Sequence, residues 1–209
     1  MPVFMRLIAL FALMLAVSAC SVPNRGGSSP EEVSKAAYRH DGPPRLTLYT
    51  MISNTSGSGA HTSLMISGSQ RIAFDPAGSF RPDGVATRDD VVYGMTPYLA
   101  DVYTRFHARK SYHVVVQHLD VSPEVAERAL QIALNYGPVQ QAYCAKSTSD
   151  LLSQLPGFED IHQTYYPRKL MDSFATKGAS YDRLYEYDDD DKSKVLKAFV
   201  PEYELKKKK

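Results

Sequence analysis

Residues 61–75 read HTSLMISGSQRIAFD, with two apolar-rich runs on either side of the turn residues Gly68 and Ser69. This arrangement predicts a β-hairpin. Alternate side chains of a strand share a face, so each strand has one apolar face, formed by Leu64 and Ile66 and by Ile72 and Phe74. Burying both faces together requires Leu64 to lie opposite Ile72 or Phe74, with a three- or five-residue loop. His61 and Asp75 then share the other face, and the first register places them directly opposite each other.

The flanking sequence predicts further strands and several helices. Valine-rich and alternating segments predict strands over Arg45–Ser53 and Tyr112–Leu119. Helices are expected from Pro97 to about Ala108, from Pro123 to Gly137-Pro138, and from about Gln141 to Leu155, with Thr96 and Ser122 as N-caps. The pattern predicts an α+β fold, with an antiparallel sheet or small barrel of about four to six strands and helices on one side.

The N-terminus has the order of a secretory signal. Arg6 precedes the apolar run Leu7–Val17, and small residues lead to Cys20. The run is too short to cross a membrane, which needs roughly 20 residues; a buried core segment is the alternative interpretation. The ending Val-Ser-Ala-Cys resembles the lipobox of bacterial lipoproteins, in which the cysteine is acylated after cleavage. We therefore expect a signal peptide over residues 1–19 and a periplasm-facing membrane anchor on Cys20. Ser21, where Asp would favour retention at the inner membrane, favours the outer membrane.

Composition and charge limit the remaining organisation. Residues 20–44 are rich in Gly, Pro, Ser and charge, which predicts a lipidated N-terminus and flexible tether. Residues 45–209 suit one domain with a C-terminal extension. The net charge of +1 gives no basic field for nucleic acid. The acidic run Asp188–Asp191 and the basic run Lys206–Lys209 are interpreted as solvated segments, although the basic run suits contact with anionic lipid.

Cys144 is the only thiol left once Cys20 carries lipid, because the chain has two cysteines. It lies near the start of a predicted helix, where backbone N–H groups and the helix dipole favour a thiolate and can hold an oxyanion. The alternative is an inert core cysteine, since Cys144 shares a helical face with Thr148, Leu151 and Leu155.

A thiolate nucleophile needs a base, and His61 has the most suggestive setting of the six histidines. It follows a Ser/Gly loop and begins a strand, although a histidine there also suits a structural role. Asp75 could orient the imidazole as the third member of a triad. Alternatively, Asp75 serves the turn Asp75-Pro76-Ala77-Gly78. No cofactor is expected, and a metal site ranks third because no His or Cys pair has ligand-like spacing.

The motifs HTSLMI (His61–Ile66) and YCAKSTSDLL (Tyr143–Leu152) resemble the circularly permuted papain-like, NlpC-type superfamily, which includes the YiiX-like proteins. In ordinary papain-like enzymes the cysteine helix precedes the histidine strand, whereas here His61 comes first. The resemblance covers about residues 46–155 and implies that Cys144 is the nucleophile, His61 the base and Asp75 the orienting residue. Relatives vary at the third position, and several have an Asn before Cys that is absent here. Tyr49 and Tyr143 are candidates to assist the oxyanion site.

Two functions follow as hypotheses. The first is a lipid-anchored cell-envelope thiol hydrolase or acyltransferase, acting on an amide or ester bond of a peptidoglycan peptide or a lipid. The second is a non-enzymatic envelope lipoprotein that binds a partner or cell-wall component, with Cys144 as core filling. They differ in whether the Cys144 sulfur lies within hydrogen-bonding reach of a His61 nitrogen.

Overall fold

The computed structural model describes residues 27–184 and 190–201, which form a mixed α and β structure around one antiparallel sheet. The strands are β1 Arg45–Ser53, β2 Gly59–Ser67, β3 Arg71–Phe74, β4 Thr87–Arg88, β5 Val91–Val92, β6 Tyr112–Asp120 and β7 Ser180–Leu184. They lie in the order β4-β5-β3-β2-β1-β6-β7. The helices are α1 Pro30–Ala36, α2 Pro97–His107, α3 Pro123–Asn135, α4 Cys144–Ser153, α5 Pro167–Ala175 and α6 Ser193–Ala198.

The β2–β3 hairpin adopts the second of the two predicted registers and leaves residues 68–70 as a three-residue loop. Its core-facing pairs are Leu64 with Phe74 and Ile66 with Ile72. All four side chains are fully buried in one core, which confirms the predicted shared face. Asp75 follows β3 directly, and continuing the register places it opposite Ser63. His61 and Asp75 therefore share a face diagonally rather than directly opposite each other.

Helices cover both faces of the sheet, so the expectation of helices on one side was wrong. One core joins β1, β2 and β3 to α3, α4 and α5. A second core on the opposite face joins the same strands to α2 through Leu99, Val102, Tyr103 and Phe106. β1 is buried on both faces along seven consecutive residues. A strand buried on both faces loses the alternation from which a one-sided sheet is inferred.

The strand count also exceeds the predicted four to six, because β4 and β5 add two strands of two residues each. Such short strands carry no periodic signal. The predicted N-caps Thr96 and Ser122 are confirmed, whereas the helix expected from about Gln141 begins at Cys144. Thr96 Oγ1 accepts a hydrogen bond from the Leu99 N–H at 3.2 Å, and Ser122 Oγ accepts one from Val125 at 3.3 Å.

The segment predicted as a tether contains helix α1, which composition did not indicate. Ser29 and Glu32 form a capping box, a signal visible in the sequence as Ser followed three residues later by Glu. The predicted signal peptide, the lipidation site Cys20 and the run Lys206–Lys209 lie outside the described residues. Among the residues that the structure describes, none of the helices is both long and apolar enough to cross a membrane.

Candidate active site

Three elements bring the predicted Cys, His and Asp together at one end of the sheet. His61 is the third residue of β2, Asp75 directly follows β3, and Cys144 is the first residue of α4. The His61 Nε2 atom lies 2.7 Å from Asp75 Oδ1. The His61 imidazole and the Cys144 thiol interact closely enough for each to shift the pKa of the other. Because Nε2 is engaged by Asp75, the other ring nitrogen, Nδ1, is the one available to the sulfur.

A buried chain of hydroxyl groups supports Asp75. The Tyr103 hydroxyl lies 2.9 Å from Asp75 Oδ1 and 2.6 Å from Ser63 Oγ. A single phenolic proton serves one acceptor, so Tyr103 donates to the carboxylate and accepts from Ser63. Burial raises the pKa of Tyr103 well above its ordinary value, and the neighbouring Asp75 charge adds to this. The phenol therefore stays protonated and remains a donor to Asp75.

The environment of Cys144 favours the thiolate. Burial by itself raises the pKa of the Cys144 thiol, and the residue is only 6% exposed. The hydrogen bond and charge of His61 outweigh burial, and hydrogen bonds from the backbone N–H groups of Thr62 and Ala145 add to that effect, so the pKa is lowered. The first turn of α4 supplies the Ala145 donor, as expected for a helix start, whereas the Thr62 donor comes from β2.

His61 shows the complementary shift. Burial lowers its pKa, but hydrogen bonds and charges from Asp75 and Cys144 outweigh burial and raise the pKa to about 10. Burial raises the pKa of the Asp75 carboxyl, but the hydrogen bond and charge of His61 outweigh burial. The pKa of Asp75 is therefore lowered, and the carboxyl is ionised. These shifts favour a thiolate, an imidazolium and a carboxylate in sequence, an arrangement in which the base holds the proton of the nucleophile.

The Cys144 thiol and the His61 ring line a cleft of about 520 Å³. Its walls also include Met51, Ala77, Phe106, His107, Arg109, Gln141, Ala142, Asp190 and Lys192. Two alanines of this wall hold positive φ angles, 60° at Ala77 and 66° at Ala142. Such conformations cost about 1–2 kcal/mol in a non-glycine residue and concentrate at functional sites. Ala142 lies two residues before Cys144, so the strained conformation belongs to the turn that leads into α4.

The first turn of α4 provides donors for an oxyanion. α4 begins without a side-chain cap, and the N–H groups of a helix's first turn point out of the helix without intrahelical acceptors. The two tyrosines proposed from sequence make other contacts. Tyr49 is buried in the second core with its hydroxyl 3.9 Å from the Met65 sulfur, and Tyr143 contacts Tyr165. Neither lines the cleft. Gln141, which sequence reasoning did not identify, lines it and carries an amide donor.

Sequence reasoning also missed His107, the last residue of α2. Its ring stacks on His61 with centroids 5.8 Å apart, and Nδ1 donates to the Tyr103 carbonyl oxygen at 2.9 Å. Burial lowers the pKa of His107 to about 4, so the imidazole is neutral with its Nε2 lone pair free of a proton. Potential ligand atoms of His61, Asp75 and His107 lie within 4.8 Å of one another, close enough for one metal ion to bridge them. No spacing in the sequence signalled this set, because its members come from three different elements.

These features define an α+β protein whose Cys, His and Asp residues meet at a cleft. Comparisons of the chain with protein-family models, with curated proteins and with solved structures find no match. The function is accordingly approached through the chemistry that the cleft supports.

Proposed function

We propose that the protein is a lipid-anchored cell-envelope thiol hydrolase or acyltransferase that acts on an amide or ester bond. Cys144 is the nucleophile, His61 the proton donor and acceptor, and Asp75 the orienting residue. The observation that carries this proposal is the His61 imidazole held between the Asp75 carboxylate at 2.7 Å and the Cys144 thiol, beside an open cleft.

The charges of the site fit a covalent reaction cycle. The Cys144 thiolate attacks a carbonyl carbon and forms an S–C bond, and the carbonyl electron pair becomes an oxyanion near the first turn of α4. The oxyanion collapses and breaks the C–N or C–O bond, while His61 gives its proton to the departing amine or alcohol. Neutral His61 then takes a proton from water or another acceptor, which attacks the thioester. Release of the acyl product restores the thiolate and the imidazolium.

The chain order supports a permuted papain-like relationship. The histidine strand β2 precedes the cysteine helix α4, and α4 packs against β2 with its N-terminus at the histidine. Peptidoglycan peptides and lipids are the substrate classes that a membrane-anchored position favours. The anchor itself is tested by labelling cells with an alkyne-tagged fatty acid. Cys20→Ser should abolish labelling and release the protein from membranes, and normal labelling of this variant would refute the anchor.

The catalytic proposal is tested by trapping the acyl-enzyme. Purified Cys20→Ser protein is mixed with p-nitrophenyl acetate, and the intact mass is measured after rapid acid quenching. We expect one acetyl group, located on Cys144 by peptide mapping, and no acetylation of the Cys20→Ser/Cys144→Ser double variant. His61→Ala should slow acetyl transfer by on the order of a hundredfold. Absence of acetylated Cys144 in folded protein would favour the non-enzymatic lipoprotein.

A further inference from the structure

Arg109 is a buried cation in the wall of the cleft. It lies two residues after the end of α2, and its backbone N–H and carbonyl both pair with Tyr112, at 2.7 and 3.0 Å. The residue is only 5% exposed, yet it lines the same cleft as Cys144 and His61. The turn therefore holds Arg109 in the wall of this cleft rather than in solvent.

The guanidinium of Arg109 has an incomplete set of partners. Its Nε and Nη2 atoms are buried and have no hydrogen-bond partner within the described ranges, 27–184 and 190–201. These two nitrogens form one edge of the planar guanidinium, and their parallel N–H groups match the two oxygens of a carboxylate. Arginine stays charged in proteins, and a buried charge without a partner is costly. This edge therefore lacks acceptors that an anion could supply.

The surrounding charges favour the same ligand. His61 is an imidazolium at neutral pH, and Lys192 adds a second fixed cation whose Nζ atom lies 2.6 Å from Ser79 Oγ. Asp190 also lines the cleft, but its Oδ1 atom already accepts the Ser111 N–H at 2.7 Å. Among the lining side chains that the structure describes, cations thus outnumber carboxylates, and a negative substrate is attracted to them.

We propose that Arg109 binds a carboxylate of the substrate, so that the acyl donor is a short peptide with a free carboxylate near the scissile bond. This inference rests on the proposed function of Cys144 and specifies its substrate class. A cleft of about 520 Å³ holds a ligand the size of a short peptide. A carboxylate and a phosphate can both form two hydrogen bonds with this edge, but a diacyl lipid that carries a phosphate needs room for two long chains. The peptide carboxylate is therefore the better match.

The test uses alkylating probes that carry a carboxylate at increasing distance from the reactive carbon. These are iodoacetyl-glycine, iodoacetyl-β-alanine and iodoacetyl-γ-aminobutyric acid, each compared with its own carboxamide on Cys20→Ser protein. At least one of the carboxylate probes should alkylate Cys144 about tenfold faster than the matching carboxamide probe. This rate ratio is the one expected for one charge-assisted hydrogen-bonded pair. Arg109→Gln should remove this preference, and Arg109→Lys should keep only part of it, because lysine retains the charge but loses the planar edge.

A matched control removes the same charge elsewhere. Arg128 lies exposed on α3, and Arg128→Gln should retain the full preference. Circular dichroism verifies that each variant is folded. If Arg109→Gln does not fold, the comparison is made with Arg109→Lys alone.

The outcomes separate the two proposals. Slow reaction with every probe, amides included, would refute Cys144 as a reactive thiol and so the proposed function. Rapid alkylation by amides with the same acid preference in Arg109→Gln would overturn the carboxylate site alone. A stronger, Arg109-dependent preference for iodoacetyl-phosphoethanolamine over every carboxylate would also overturn it, in favour of a phosphate-bearing lipid.

Discussion

Asp75 Oδ1 lies 2.7 Å from His61 Nε2 although the two residues are diagonal, not opposite, in the β2–β3 hairpin. The contact forms because Asp75 lies just beyond the end of β3, where the side chain can lean towards the start of β2. It occupies Nε2 and so leaves Nδ1 to the thiol. This one contact sets the orientation of the imidazole and much of its charge.

Replacing Asp75 by Asn should weaken the thiolate–imidazolium pair. The carboxylate raises the pKa of His61, so its removal lowers that pKa and, through the weaker imidazolium, raises the pKa of Cys144. We expect acyl transfer at neutral pH to fall by on the order of a hundredfold. The pH profile of acyl transfer is measured with p-nitrophenyl acetate. Its decline at high pH, expected near 10 where His61 loses its proton, should move to a lower pH in this variant. An unchanged profile would mean that Asp75 serves only the turn.

Tyr103→Phe tests the hydroxyl chain behind Asp75. The change removes a buried donor to the carboxylate and leaves the Ser63 hydroxyl without its acceptor. We expect a loss of about 1–3 kcal/mol in the free energy of unfolding, measured by urea denaturation. If Tyr103 positions Asp75, the pKa of Cys144 should also rise. Loss of stability with an unaltered thiol pKa would indicate a structural role alone.

Gly78 allows the close approach of the turn to Asp75. A Cβ atom added at Gly78 would overlap the Asp75 carboxylate, so Gly78→Ala must displace either the turn or the carboxylate. We expect a cost of about 1–3 kcal/mol in unfolding free energy and slower alkylation of Cys144 at neutral pH. Gly68→Ala is the matched control, because its Cβ would meet the movable Glu127 carboxylate at 3.3 Å. Equal effects of both variants on alkylation would contradict a specific contact with Asp75.

The shared apolar face of the hairpin was predictable from local rules, which left two registers open, whereas the grouping of Cys144, His61 and Asp75 was an expectation from the superfamily resemblance. Strand alternation fixes which side chains of residues 61–75 share a face, and the helix start gives Cys144 its setting. Tyr103, His107 and Arg109 were not predictable. They reach the site from α2 and the turn after it, and α2 packs on the face where no helix was expected. Long-range packing of this kind leaves no periodic trace in the sequence.

The proximity of His61, Asp75 and His107 leads to a prediction about metal ions. A thiol enzyme needs no metal, so EDTA should leave acyl transfer unchanged. Added Zn²⁺ should slow alkylation of Cys144, because zinc binds histidine, carboxylate and thiolate ligands. His107→Ala should weaken this zinc effect while leaving alkylation without zinc intact. Loss of acyl transfer in EDTA, restored by zinc, would instead indicate a metal-dependent reaction.

The most direct test of the central claim is the rate of iodoacetamide alkylation against pH on folded Cys20→Ser protein. The pKa of Cys144 is lowered, so the thiolate persists as the pH falls below the roughly 8.5 of a free cysteine. We predict appreciable alkylation below pH 7 and a profile that moves up towards the free-thiol value in His61→Ala, with a smaller shift in Asp75→Asn. Slow alkylation at every pH until the protein unfolds, unchanged by His61→Ala, would contradict the assignment of Cys144 as a nucleophile.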